Sequence, residues 1–349
     1  MKKVIWFTLI FTLSITVLFA GGGRDKKAAG SADKIVIYTS MYEYVIDSVK
    51  QNLQKQFPQF KIEFIYGGTG NLQARITSER ASGKLGCDIL MVAEPAYSLE
   101  LKENGMLYSY KSRETANLAF DYDPEGYWYP VRVSNMVLAY NPDRHAKDTI
   151  PNSFYDFAHD PRVRGSISMR SPLTSGTSMA TVTALRDKYG YEYFDALSKQ
   201  NIQIEYGSDT PITKLETGEY SVVMILEESI LRRRQEGSRL EVIYPTDGTV
   251  MIPSTIMIIN DKWSASKNLS GAEIVTDWFL SKEGQNAIVD GWMHSVRGDF
   301  NRLPYDAKAT NEIRAGSIAV NWENYFRQRK EIQDKFQEYL ANRTNDDGV

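Results

Sequence analysis

The residues of this chain that could do chemistry collect in short stretches, each following an apolar run. Thr39-Ser40-Met41-Tyr42 follows Ile35–Tyr38, and Gly67–Gly70, with Thr69 inside it, follows Lys61–Tyr66. Ala93-Glu94 follows Asp88–Val92, and Pro172–Thr177 follows Ile167–Met169. Each stretch is small, polar or glycine-rich, and several introduce a helix. Free amides at a helix N-terminus, with hydroxyl caps beside them, hold anions. Ser175-Gly176-Thr177 is the best such candidate, and it also reads as a plain N-cap. Gly-Gly-Thr-Gly lacks the full GxGxxG spacing and no Walker lysine follows, so it reads as a tight turn facing the same place. Arg132 and Arg170 could each pair bidentately with a phosphate or carboxylate. Asp209, with Ser208 before it, and Glu228 could accept hydrogen bonds from hydroxyl or amine groups at a ligand's other end. Donors at one pole and carboxylates at the other suit a small organic anion such as a sugar phosphate or an aminophosphonate. A second reading of Glu227-Glu228 is a helix start that favours carboxylates. The following Arg232–Arg234 run reads as a solvated helix face.

Other chemistries are subtracted by composition. Cys87 is the single cysteine, so no intrachain disulfide and no Cys₂ or Cys₄ zinc site can form. His145, His159 and His294 are scattered, and there is no GxSxG elbow and no HExxH. Ser175 with a distant histidine leaves a secreted hydrolase as a remote alternative. No cofactor is implied. The 349 residues carry a formal net charge of −3, which gives no reason to expect nucleic acid as a partner. That length predicts about two domains.

The elements that must position these residues alternate. Strands are expected at 35–38, 61–66 and 88–92, with a helix carrying Val45, Val49, Leu53 and Phe57 and another carrying Leu72 and Ile76 between them. This βαβαβ order argues for a parallel sheet with helices on both faces. A long strand at 133–140 begins after Pro130, and later strands fall at 167–169, 202–205, 222–226, 242–244 and 255–259. Helices are expected at about 178–188, 191–199, 211–217 and 271–280. After Arg297 the chain reads as mainly helical.

Met1-Lys2-Lys3, the apolar run Val4–Phe19 and the small residues that follow describe a secretory signal peptide over residues 1–20. Residues 21–32 form a flexible linker. Leu18-Phe19-Ala20 would suit a lipobox, but Gly21 stands where the acylated cysteine must be. The expected location is extracytoplasmic, soluble or tethered near a membrane.

IVIYTS at 35–40, GGTGNLQARITSE at 67–79, DILMVAEP at 88–95, VLAYNP at 137–142, SPLTSGTS at 171–178, KLETGEYSVVMI at 214–225 and WFLSKEGQNAI at 278–288 come in a telling order. Together they resemble the extracellular solute-binding proteins of bacterial ABC importers, in the cluster of ferric-ion-binding proteins and their organophosphate-binding relatives. The resemblance implies a two-lobed α/β periplasmic-binding-protein fold, with crossing strands as a hinge and a ligand cleft between the lobes. It also implies a membrane permease as partner and a monomeric chain. The expected lobes are 33–131 with 250–300, and 132–249 with 301–345. Thr39, Ser40, Tyr42, Thr69, Glu94, Arg132, Ser175, Gly176, Thr177, Ser208, Asp209 and Glu228 are the expected ligand contacts. Iron-binding relatives use an adjacent tyrosine pair where this chain has Glu227-Glu228, and a histidine where it has Tyr42. That departure favours a phosphorylated or phosphonate-bearing anion. Ferric iron, held by Tyr42, Glu94 and Glu228, is the alternative.

Overall fold

A computed structural model of the protein describes residues 33–346, so the expected signal peptide over residues 1–20 and the expected linker over residues 21–32 lie outside the described residues. In chain order the first half comprises β1 (Lys34–Thr39), α1 (Glu43–Gln56), β2 (Lys61–Tyr66), α2 (Thr69–Ala81), β3 (Ile89–Val92), α3 (Ala96–Glu103), β4 (Tyr129–Tyr140), α4 (Phe154–His159), β5 (Ile167–Arg170) and α5 (Gly176–Tyr189). There follow α6 (Glu192–Lys199), β6 (Gln203–Glu205), α7 (Asp209–Thr217), β7 (Val222–Leu226), α8 (Glu227–Gln235), β8 (Glu241–Ile243), β9 (Val250–Ile258), α9 (Leu269–Leu280), α10 (Lys282–Asp290), α11 (Thr310–Ala315) and α12 (Trp322–Asp346). The expected α/β class and the parallel β1–β2 and β1–β3 pairs are present.

All nine strands of the described residues belong to one hydrogen-bonded sheet, in the order β2-β1-β3-β9-β4-β7-β5-β6, with β8 also on β4. The ladder is unbroken because β4 is twelve residues long and changes partners along its length. Tyr129–Met136 pairs with β9, Met136–Ala139 with β7 on the other edge, and Leu138–Tyr140 with β8. The apolar side chains nevertheless gather in separate clusters. Ile35, Ile37, Val49, Met91, Ile256, Val275, Phe279 and Ile288 pack at one end of the sheet, and Leu138, Phe154, Phe157, Leu185, Phe194, Met224 and Phe336 at the other. We refer to the two ends as arms.

The crossing strands start earlier than the sequence suggests, and both depend on a proline that does no harm. β4 begins at Tyr129 and includes Pro130, where the register slips so that Val131 has no partner on β9. A proline is tolerated at such a bulge because the ladder bond it cannot donate is already lost. β9 begins at Val250 and runs through Pro253, which lies opposite Val133. Val133 exchanges its main-chain bonds with His294 instead, at 2.9 and 3.0 Å, and the β3 ladder ends at Thr255. No donor is wanted from residue 253. After Arg297 the chain is less helical than expected, since α11 does not start until Thr310.

Gln285 of α10 repairs the bulge. Its amide nitrogen donates to the carbonyls of Val131 and Phe279, both at 2.8 Å, and its oxygen accepts from Ser295 Oγ at 2.7 Å and Val296 N at 2.9 Å. The side chain is fully buried and uses all these bonds to hold the backbone next to Arg132. Gln285→Leu should therefore lower unfolding stability in urea by about 2–4 kcal/mol, since each buried group left without a partner costs about 1–3 kcal/mol. A loss below about 1 kcal/mol would mean that the backbone there finds other partners.

Candidate functional site

The parallel strands of each arm end side by side. Thr39 lies opposite both Tyr66 and Met91, and Arg170 lies opposite Glu205. The loops beyond these ends therefore converge, as the ligand site of an open α/β sheet should. They begin α1, α2, α5 and α7, so four helix N-termini, with their partial positive charge, ring one space.

That space is stepped. An open chamber of about 660 Å³ is lined by residues that include Tyr42, Tyr44, Tyr66, Asn71, Arg170, Tyr206, Ser208, Asp209 and Arg232. Beneath it a pocket of about 20 Å³ is walled by Ser40, Thr69, Arg132, Ser134, Ser175, Gly176 and Thr177, with Tyr42, Tyr66, Gly68 and Arg170 shared between the two. Alternation along β4 sends Arg132 and Ser134 into the pocket.

Arg132 is 3% exposed, yet no carboxylate lies within ion-pair distance of it among the described residues. One terminal nitrogen reaches Ser40 Oγ at 3.2 Å, the other meets Met293 Sδ at 2.9 Å, and Nε has no partner. Burial lowers its pKa, with Glu228 the foremost of the groups opposing that shift. Among the described residues Arg170 has only Tyr42 Oη at 3.4 Å, and its Nε is likewise unpartnered. A buried cation without a counter-charge is expensive unless something else supplies one.

Ser175 is the N-cap of α5, accepting from Ser178 N at 3.2 Å, and its hydroxyl lies 3.0 Å from that of Thr177. The turn caps a helix, as one reading expects, and it also walls the pocket. The amides of Gly176 and Thr177 have no intrahelical acceptor available. Across the pocket Thr69 Oγ1 accepts from Ala93 N at 3.2 Å. The arms touch here. Gly70 N donates to Thr174 O at 3.3 Å, and a Cβ on Gly70 would stand 2.5 Å from Leu173 O. Farther out Tyr42 Oη and Ser208 Oγ lie 3.2 Å apart.

Of the twelve expected contacts, Ser40, Tyr42, Thr69, Arg132, Ser175, Gly176, Thr177, Ser208 and Asp209 line the chamber or the pocket. Thr39, Glu94 and Glu228 line neither. Thr39 is buried, with its hydroxyl accepting from Met41 N at 3.0 Å. Glu94 is sealed behind the wall. It accepts from Tyr97 N at 3.2 Å and contacts the Gln73 amide at 3.5 Å, while Arg329 of α12 donates to Gln73 Oε1. Burial pushes its carboxyl up to about 7. Glu228 accepts from Ser134 Oγ at 2.8 Å and stands behind that residue, with burial pushing it also up to about 7. Its neighbour Glu227 takes bonds from Asn135 at 2.6 Å, His294 at 2.9 Å and Tyr244, on the far side of β4. Among the described residues no three His, Cys, Asp or Glu side chains gather as a metal set.

Arg232 corrects the expectation of a solvated face. It lines the chamber and lies over the Tyr44 ring, 4.7 Å from its centroid, while also pairing with Glu236 at 2.7 Å. It stands three residues after Ser229, which lines the same chamber, and so shares its face of α8. Tyr66 and Tyr206 carried no signal beyond their places at strand ends.

A model of the bacterial extracellular solute-binding protein family matches residues 87–313, and the chain belongs to that family. A Sinorhizobium fredii protein described as a probable ABC transporter periplasmic-binding protein, y4fP, is 23% identical over 273 residues, 75% of this chain and 73% of its own. Among solved structures, the periplasmic binding protein AfuA from Actinobacillus pleuropneumoniae, with exogenous fructose-6-phosphate bound, has a TM-score of 0.77 at 23% identity, covering 88% of this chain and 98% of that one. Iron-bound HitA from Pseudomonas aeruginosa has a TM-score of 0.76 at 20% identity, covering 88% and 99%. The fold is that of the periplasmic binding proteins, and the general role is solute binding for ABC transport. Among the described residues no helix is long and apolar enough to cross a membrane.

The raised Glu228 carboxyl has a signed consequence. Its ionised form is disfavoured in the folded state, so it costs nothing below about pH 4.5 and a growing amount as pH rises towards about 7. Between about pH 5 and about pH 8 the stability of Glu228→Gln should therefore fall less than that of the unaltered protein in urea unfolding. Equal falls would show that Glu228 ionises freely.

Proposed function

We propose that the protein is an extracytoplasmic binding protein that delivers a small phosphorylated or phosphonate-bearing organic anion to an ABC importer. The observation that carries this reading is Arg132. A guanidinium only 3% exposed, with no carboxylate within ion-pair distance among the described residues and flanked by Arg170 and by the starts of α2 and α5, is built for an anion. The three proposed oxygen donors for iron give less support to the alternative. Glu94 answers α12 through Gln73 and Glu228 answers Ser134, and two nearby arginines would repel a trivalent cation. In this reading an export signal at residues 1–20 carries the chain out of the cytoplasm, a permease receives the ligand, and no turnover occurs.

Arg132→Met should weaken binding of a hexose phosphate, an aminophosphonate or a thiamine phosphate by more than about tenfold, since hydrogen bonds to charged groups contribute about 1.5–3 kcal/mol. Ser175→Ala and Thr177→Ala should each cost less, about 0.5–1.5 kcal/mol. Calorimetry with these ligands and with ferric citrate reads the ranking. Binding of the ferric complex alone, with a phenolate-to-iron absorption band, would overturn the proposal.

The lobes in this reading are 33–131 with 250–300, and 132–249 with 301–345, bending about β4 and β9 to close on the ligand. The separate apolar clusters support that division, although α12 also reaches the first arm through Arg329. Gly70→Ala, which sets a methyl group against the Leu173 carbonyl of the other arm, should raise Kd by roughly tenfold with little loss of stability. An unchanged Kd would mean that the bound form does not need this contact.

A further inference from the structure

The deep pocket has room for little more than the oxygens of an anionic group, while the chamber above it is more than thirty times larger. A volume of about 660 Å³ lies within the roughly 300–1,000 Å³ of sites that enclose whole organic molecules. The two spaces are continuous through Tyr42, Tyr66 and Arg170, so one ligand can reach from the pocket into the chamber. The chamber wall is aromatic, and its rings differ in how they are engaged. Tyr42 and Tyr44 stack on each other at 5.3 Å, and Arg232 covers the Tyr44 ring. Tyr66, at the end of β2 on the first arm, is 37% exposed and meets only Tyr42, tilted by 41°. Tyr206, just after β6 on the second arm, is 71% exposed and has neither a ring contact nor a hydrogen bond among the described residues. Two large aromatic side chains exposed on opposite arms of one cavity are unusual without an occupant. Asn71 and Asp209 add hydrogen-bonding groups on the same wall.

We propose that this chamber is a subsite for a flat aromatic ring held by Tyr66 and Tyr206, so that the organic part of the ligand is a phosphorylated aromatic heterocycle. This rests on the reading that the deep pocket takes the anionic group. A planar ring presents two π-faces to the tyrosines, in the offset or tilted geometries such pairs prefer, and edge atoms to Asn71 and Asp209. Stacking is also tolerant of the ring's identity, because every aromatic base has a π-face.

Phenyl phosphate and cyclohexyl phosphate isolate the effect, since they share the anion and differ in flatness. NMR titration of the full chain should show phenyl phosphate binding about tenfold more tightly than cyclohexyl phosphate. Tyr206→Leu, at a side chain that lines the chamber and not the pocket, should reduce that ratio to near one while leaving affinity for inorganic phosphate unchanged. The Tyr206 side chain is solvent-facing, so the substitution does not threaten folding. Equal affinity for the two esters in the unaltered protein, or parallel loss of inorganic phosphate in Tyr206→Leu, overturns the ring subsite. If neither ester nor inorganic phosphate binds, and Arg132→Met changes nothing, the anion reading itself fails and takes the subsite with it.

Discussion

Every residue of β4 is buried, so every main-chain polar group along its twelve residues must be answered inside the protein. That demand organises the molecule. β9, β7 and β8 each answer part of the strand, His294 answers Val133, and the Gln285 side chain answers Val131 where the bulge leaves it unpaired. A strand satisfied piecemeal by elements from both arms cannot belong to either. It is therefore the natural place for the two arms to be joined, and for a side chain to face the cleft between them.

The alternation of β4 then separates two kinds of polar chemistry. On one face Arg132 and Ser134 wall the deep pocket. On the other, Asn135 joins Glu227, His294 and Tyr244 in a closed hydrogen-bond network. Adjacent glutamates on α8 thus serve opposite faces of the strand. Glu227 is satisfied by at least three partners, whereas Glu228 rests on Ser134 and keeps a carboxyl pushed towards neutrality by burial. Polar groups satisfied within a network fix structure, whereas Arg132 and Arg170, each with an unpartnered Nε, line the candidate site.

The loops that crown the parallel strands could be read in the sequence because their composition is local. Glycine and hydroxyl residues at the ends of apolar, β-branched runs announce turns into helices, and nine of the twelve expected contacts do line the cleft. The three that do not, Thr39, Glu94 and Glu228, were placed by their position after a strand. Position along the chain cannot reveal whether a side chain turns into the cleft or back into the wall. Glu94 turns back because α12, more than two hundred residues later, brings Arg329 and Gln73 together beside it.

By itself the sequence determined the periodicities, and with them the α/β class, the first parallel strands and most helices, since alternation and 3.6-residue repeats are properties of neighbouring residues. It also determined which loops carry anion-binding residue types. The tertiary structure alone decided that Pro130 and Pro253 lie inside strands, because only long-range partners show that their missing donors are not needed. It alone decided that no carboxylate of the described residues comes within ion-pair distance of Arg132, that Arg232 turns into the chamber, and that Tyr66 and Tyr206 share one cavity from opposite arms. Each of these depends on contacts between distant segments, and pairing at that distance leaves no mark in local composition.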